Sequence, residues 1–545
     1  MDARALTDYI LTVRVLPDDR RLEISGTMRI PAADSAREEI HLSLSERMSA
    51  VRVEVVEPSR SAGLAKLDRV EGGNWERLEG ERRNAKWILR PPHPIPPGQP
   101  LVLRFSYAGS GEVAFLYYVG PEVAFASAWG DYWYPVVDSA TGKGTGELTV
   151  MVPTGWRIAT GGVRRSSAEE EAQGTFRSAI LHSTYFSFTA GNYTVVRHEG
   201  AVPLSAYLLT RRDHIDSYLT GVAALLSALI AEFGAYPFDE LVLVEVPREL
   251  AIQAGFNAFS PPGLIVVNSR AFDAPDVKYL LEWLGHEMSH QWFPHTVALR
   301  VPPGLSMEEA LAEYGGLRAV ETIAGPEAAR RMRTSGFEYD PIYSAAAYFN
   351  LVGAGVDQPL ADLQPSLEHR NLAYNKGFLV FDMLSREIGR AEFQRILHEI
   401  TRGRRFQTIT WHEFLNAITA GSNMNPGGFF EQWFGRIGAP DFHLSWSQEG
   451  DTLRGVISQP APHYRAHLKI EIRGSHGQRL VHVVELKGAR ADFAVAAGFR
   501  AQSAVLDPAY EVLRWTPEYR AAADTARSER DHGDDRTGSH LPGSG

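Results

Sequence analysis

The hydrophobic pattern changes its period twice along this chain, and that order limits the folds open to it. From residue 1 to about 200, short runs such as YILTVRV, RLEISGTMRI and LVLRFSYAG alternate apolar and polar residues, with Gly, Pro and Asp clusters such as RPPHPIPPGQP between them. A period of two marks strands with one buried face, so this part reads as an antiparallel β-domain. From about Asp216 the period lengthens to that of amphipathic helices: SYLTGVAALLSALIAEFG, VKYLLEWLGHEMSHQWF, SMEEALAEYGGLRAVETIA, NKGFLVFDMLSREIG and EFQRILHEITRG. An apolar strand-like run, LVLVEV, and a Gly/Pro-rich loop leading to GLIVV lie between the first two. After Pro440 alternation returns in FHLSWSQ, HLKIEIRG and LVHVVELKG, the pattern of a small β-sandwich ending near Trp515. The final TARSERDHGDDRTGSHLPGSG has too few apolar side chains to fold and is expected to be disordered. The expected division is a β-domain over 1–200, an α/β domain over 201–440, a β-sandwich over 441–520 and a disordered tail over 521–545.

Composition narrows the function classes. The 545 residues, 44% apolar, can fill several cores, and 10% aromatic with 22% charged residues excludes fibrous and globally disordered chains. A net charge of −11 without a long basic run argues against nucleic acid or an anionic membrane as the main partner. With no cysteine, disulfide frameworks, thiolate zinc sites and cysteine nucleophiles are excluded. No run reaches the roughly eighteen apolar residues a membrane span requires. Alternation begins by Tyr9, which leaves no room for a signal peptide, so a cytoplasmic location is expected. No internal repeat is visible, and nothing speaks to oligomeric state.

Chemistry concentrates in LLEWLGHEMSHQWF. His286, Glu287 and His290 form H-E-x-x-H within a run of helical periodicity. Positions i and i+4 share one helix face, so two imidazoles can meet one metal ion while Glu287, one residue round, reaches a water on it. Catalytic zinc takes three protein ligands and keeps a fourth position open. The third is expected from the following helix, where Glu309 lies 19 residues after His290 and its register with Ala312 and Glu313 points inward, in preference to Glu308. Blander readings stand beside this one. H-E-x-x-H arises by chance in a chain with 18 histidines, and Ser306-x-x-Glu309 is also a capping box in which Glu309 would bond only the Ser306 amide. The two features together favour a metal.

HEMSHQWF, with 18 residues between its second histidine and EALAEY, resembles the gluzincin metallopeptidases of the membrane-alanyl-aminopeptidase and leukotriene-hydrolase family (clan MA), whose pattern is HExxHxWF with eighteen residues between the second histidine and E-G-F-A-x-Y. The likeness covers most of the chain. GELTVMVPTGWRIATGG resembles the strand closing that family's N-terminal β-saddle, and YPFDELVLVEVP the strand entering its thermolysin-like catalytic domain. FFEQWFGRIGAP resembles its F-x-x-x-W-x-x-x-x-G-x-P segment, and Tyr374-Asn375-Lys376-Gly377, starting 65 residues after Glu309, its Y-x-K-G. On residues alone, Tyr374 reads as a buried tyrosine at a helix start. The resemblance implies a multidomain α+β protein with a β-saddle, a thermolysin-like α/β catalytic domain and a C-terminal β-sandwich. It further implies one zinc ion per chain held by His286, His290 and Glu309, Glu287 as general base and Tyr374 as donor to the oxyanion, acting on a peptide substrate.

The sequence also departs from the family. The G-x-M-E-N glutamate that holds a substrate's free amine falls at Ser260 in AGFNAFSPPGLIVV, which makes Ser260 the candidate substrate-binding position. The second amine-holding residue, a glutamine, falls near Ala124. Glu122 and Glu249 are nearby substitutes on sequence and read more simply as solvated charges. The carboxylate that often follows the third ligand by seven residues and orients a zinc-bound histidine is replaced by Gly316, so another group must supply this bond, and Glu313 is the candidate for it. Pro294 and His295 replace the family's usual G-N. Descent favours an aminopeptidase; the missing anchors favour an endopeptidase or a specialised amide hydrolase without free-amine recognition. A catalytically silent scaffold for protein binding is the rival from another class.

Overall fold

The computed structural model describes residues 6–70, 84–137, 143–300, 304–336, 343–364, 367–422 and 427–524. It is a mixed α+β structure, strands first, helices in the middle and strands again before the end. The chain divides into two compact units, one of residues 1–224 and 236–277 and the other of 225–235 and 278–545.

In the first unit an eight-stranded sheet is built around Asp8–Leu16, Arg21–Ile30, Leu101–Ser110 and Met48–Glu57. Alternate residues of these strands (Leu11, Val13, Val15; Leu22, Ile24; Leu101, Leu103, Phe105) are buried, as a period of two requires. The sheet is antiparallel with one exception: Asp8–Leu16 pairs in parallel with Gly144–Met151. An alternating burial pattern shows which face is inward and carries nothing about the direction of the partner, so this one parallel pairing within the antiparallel sheet is not visible in it. A second, five-stranded sheet takes Thr194–His198, Leu204–Leu208, Leu241–Val246, Leu264–Asn268 and the edge strand Ala258–Phe259. Three of these run parallel, and their near-continuous apolar runs LVLVEV and LIVVN follow from burial on both faces.

The second unit holds the helices that carry the motifs. Leu281–Ser289 packs on Gly304–Ala324, which packs in turn on Phe378–Ile388, and that helix on Arg390–Gly403. The first two come close at Gly285 and Gly316: a Cβ on Gly316 would stand 2.8 Å from the Glu282 carbonyl oxygen, and one on Gly285 would stand 3.1 Å from the Gly316 Cα. Beneath them Phe233, Trp292, Phe293, Tyr314, Phe381 and Phe393 are buried. Two three-stranded sheets follow, with Thr452–Ser458 central in one and Ala466–Gly474 in the other, and Leu453, Ile457, Leu468, Ile470 and Leu486 fill the core between them.

Two expectations change. Of the tail expected from 521, residues 521–524 continue a helix that begins at 517, because Ala523 is buried against Gly353 and Tyr519 stacks on Phe349; residues 525–545 lie outside the described set. Among the described residues one helix, Ile215–Phe233, is long and apolar enough to cross a membrane by length and composition, with a mean hydropathy of 1.4. Its Leu219, Val222, Leu225, Leu226, Leu229 and Phe233 are buried within the protein, the spacing of a core-facing stripe.

Candidate metal centre

His286 lies in the last turn of the Leu281–Ser289 helix, and His290, its C-cap, keeps helical angles (φ −59°, ψ −18°), so the one-turn spacing holds through the helix end. Pro294 then prevents continuation. The two Nε2 atoms stand 3.1 Å apart. Glu309 projects from the Gly304–Ala324 helix and places its Oε2 3.4 Å from the His286 Nε2 and 3.3 Å from the His290 Nε2. All three donor atoms fall within 4.8 Å of one another. The Glu309 carboxylate is engaged by the two histidines and Arg370, so it is not spent on the Ser306 amide as the capping-box reading would have it.

Each ligand is oriented through its other end. The Nδ1 of His290 faces the Phe293 carbonyl oxygen at 2.9 Å, and the Nδ1 of His286 faces the Glu313 Oε2 at 3.0 Å. A hydrogen bond at Nδ1 selects the tautomer that leaves Nε2 free to bind a metal. Glu313 therefore stands at the ring nitrogen that the related pattern reserves for the residue at 316. A carboxylate at 316 is sterically barred, since any side chain there meets the Glu282 carbonyl; Glu313, three residues earlier on the same helix face, reaches the ring instead.

Oε1 of Glu309 accepts from the Arg370 Nη2 at 2.8 Å, which leaves Oε2 facing the imidazoles. The Tyr374 hydroxyl donates to that Oε2 at 2.5 Å and accepts from the same Arg370 nitrogen at 2.8 Å. Tyr374 sits in a π-helical turn, Ala373–Gly377, inserted ahead of Phe378–Ile388; such turns widen a helix locally and re-aim its side chains. Its ring is stacked by Tyr343 at 4.3 Å and lies 5.4 Å from the His286 ring.

The electrostatics describe a site that attracts cations. Burial would push the Glu309 carboxyl up, but His290 and His286 more than offset it and hold it well below the usual carboxylate range. Burial would likewise push both imidazoles down, yet Glu309, with Glu287 behind it, raises them. Burial lifts the Tyr374 phenol well above its ordinary value, opposed by Arg370 and reinforced by Glu309. Two neutral-capable nitrogens and a carboxylate oxygen converging in a shielded site match the donor set and number of a catalytic zinc site. A divalent cation there would replace the protons that the pair of imidazoles otherwise attracts.

Residues 234–433 match the family model described as the Peptidase family M1 domain. Over those residues the chain is similar to the peptidase family M1 domain. This bears out the gluzincin resemblance read from HEMSHQWF, EALAEY and YNKG. Aminopeptidase 2 of Candida albicans (strain SC5314 / ATCC MYA-2876) is 29% identical over 147 residues, 26% of this chain and 16% of that protein. Probable aminopeptidase 1 of Saccharolobus solfataricus (strain ATCC 35092 / DSM 1617 / JCM 11322 / P2) is 21% identical over 222 residues, 38% of this chain and 26% of that protein. The chain thus spans about a quarter or less of the length of these curated relatives. Among solved structures, Legionella pneumophila aminopeptidase A in complex with aspartic acid superposes with a TM-score of 0.65 at 15% identity, over 99% of this chain and 64% of that one. The M1 zinc metallopeptidase from Deinococcus radiodurans gives 0.57 at 17% identity, over 79% of this chain and 94% of that one. The shared fold is that of an M1 zinc metallopeptidase, and the His286–His290–Glu309 cluster fits its metal.

Other sequence candidates fall differently. Glu287 is half-buried on the motif helix. Ser260 belongs to the first unit, half-buried on the connection between Ala258–Phe259 and Leu264–Asn268. Ala124 is fully buried in the strand Val123–Ser127, and Glu122 and Glu249 are exposed, as solvated charges should be. Arg370 and Tyr343 were not anticipated. Arg370 precedes Tyr374 by one helical turn, which is a readable signal once Tyr374 is taken as functional; Tyr343 has none.

Proposed function

We propose that this chain is a zinc-dependent peptidase that hydrolyses peptide bonds, with aminopeptidase activity as the leading form. The convergence of His286, His290 and Glu309 inside an M1 domain carries the reading. Zinc would be held by the Nε2 atoms of the two histidines and by Glu309 Oε2. When bound, it lowers the pKa of a coordinated water to about 7 and polarises the scissile carbonyl. Glu287 takes a proton from the attacking water and passes it to the leaving amine. Tyr374 gives its phenolic hydrogen to the carbonyl oxygen as charge develops there; one preorganised donor of this kind is worth about 3–4 kcal/mol. Glu313, through His286, keeps the ligand imidazole in the right tautomer. On this reading the three-part division at 200, 440 and 520 separates saddle, catalytic domain and sandwich.

The names of the relatives support removal of N-terminal residues. Ser260 and Ala124, standing where amine-holding side chains would be, support instead a hydrolase indifferent to a free amine, because a bound ammonium needs a desolvated anionic partner. The experiment is one peptide in free-amine and N-acetylated forms, given to the zinc-loaded protein with Glu287→Gln as control. Cleavage of the free form alone supports the aminopeptidase; equal cleavage of both supports the second reading. Hydrolysis retained by Glu287→Gln overturns the base. No zinc-dependent hydrolysis in either form favours the silent scaffold, against which the complete ligand set already stands.

A further inference from the structure

We propose that Arg370 is a positioning residue for Tyr374, fixing the direction in which the phenol gives its hydrogen; the proposal rests on the reading of Tyr374 as donor to the carbonyl oxygen. One guanidinium nitrogen, Nη2, lies 2.8 Å from the Tyr374 oxygen and 2.8 Å from Glu309 Oε1. A guanidinium has donors and no acceptor. The phenol oxygen must therefore accept from Arg370, and its single hydrogen must point elsewhere. In this structure it points to Glu309 Oε2 at 2.5 Å, the oxygen that also faces both histidine Nε2 atoms. The donor is thus aimed at the place where the ligand tips converge.

Three features make this an orienting device rather than a chance contact. The two hydrogens of one nitrogen span the Glu309 carboxylate and the phenol, so a single group ties the two together. Tyr343, stacked face to face at 4.3 Å with the planes 9° apart, restrains tilt of the Tyr374 ring. The Arg370 side chain is only 19% exposed and Glu309 only 4%, so water competes weakly for these bonds. Without Arg370, the hydroxyl would be free to rotate about its C–O bond and would have to be reoriented during the reaction, which a preorganised donor avoids. A lysine would keep the charge but lacks the fixed fork of donors.

The test uses the full chain with Arg370→Met, Arg370→Lys, Tyr374→Phe and the Met/Phe double variant. Arg370→Met should lower kcat about 10- to 100-fold, the range for a lost charged hydrogen bond, with KM changed less than about threefold. In the Tyr374→Phe background the same change should lower kcat by less than about threefold, because the group being oriented is gone. Arg370→Lys should recover part of the loss. A reading without turnover comes from zinc-free protein labelled at tyrosine ¹³Cζ. The Tyr374 resonance, identified by its disappearance in Tyr374→Phe, should move in Arg370→Met, and in Arg370→Lys should the methionine variant not fold. Equal kcat losses in both backgrounds, or an unmoved resonance, would overturn the proposal. If Tyr374→Phe alone leaves kcat unchanged, the donor role of Tyr374 fails, and the carbon resonance still decides whether Arg370 orients the phenol.

Discussion

Replacing Glu313 separates two ways in which a buried carboxylate can help a metal site. Its Oε2 stands 3.0 Å from His286 Nδ1, and the residue has no exposed surface. Glu313→Ala removes the acceptor and leaves a buried ring N–H without its partner, a loss of about 1–3 kcal/mol. Removal also takes a negative charge from beside the cation site, so orientation and electrostatics act in the same direction. The expected weakening of zinc binding is about 10- to 100-fold, equivalent to about 1.4–2.7 kcal/mol. Glu313→Gln keeps an acceptor at the same place and discards the charge, so its affinity should lie between those of the parent and the alanine variant. Competition against a chromophoric chelator at fixed pH measures all three, and thermal unfolding of the zinc-free forms checks that each is folded. A folded Glu313→Ala with zinc affinity within twofold of the parent would refute the role. A glutamine variant weaker than the alanine one would refute the orientation argument specifically.

Two further outcomes follow from the packing around the site. Gly316→Ala puts a methyl 2.8 Å from the Glu282 carbonyl oxygen, forcing the two ligand-bearing helices apart; overpacking of this kind costs about 1–3 kcal/mol, and a melting temperature equal to the parent's would contradict it. Lys376 is fully buried, its Nζ donating to the Arg436 carbonyl oxygen, and burial lowers its pKa from 10.5 to about 8, with Asp357 opposing. Because the unfolded chain holds this proton more tightly than the folded one, the charged lysine works against folding below pH 8, and the penalty lifts as pH rises toward 10.5. Over that interval the parent should gain about 3 kcal/mol relative to Lys376→Met in urea unfolding, and parallel pH profiles would show that the lysine does not titrate there.

How much of this could be read in advance depends on whether a feature is local in the chain. His286 and His290 were legible because one turn of helix places them, and Glu309 because its helix follows at a short, regular distance. The strands of the first unit were legible from alternation, while the parallel pairing of Asp8–Leu16 with Gly144–Met151 joins segments far apart and leaves no trace in either. Residues 521–524 belong to a segment whose average composition forbids a core, yet they continue a helix in which Tyr519 stacks on Phe349 and Ala523 is buried against Gly353. The orienting carboxylate shows the same limit at the site itself. Counting seven residues from Glu309 arrives at Gly316, where a missing side chain looks like a missing function. The count takes no account of helix separation. Here the backbones meet at Gly285 and Gly316, so that position is consumed by the crossing. The carboxylate that can reach His286 must then come from a neighbouring position on the same face, which is where Glu313 stands. An apparent loss at a spaced motif position is thus better tested against the helix contact that would crowd it than taken as a loss of chemistry.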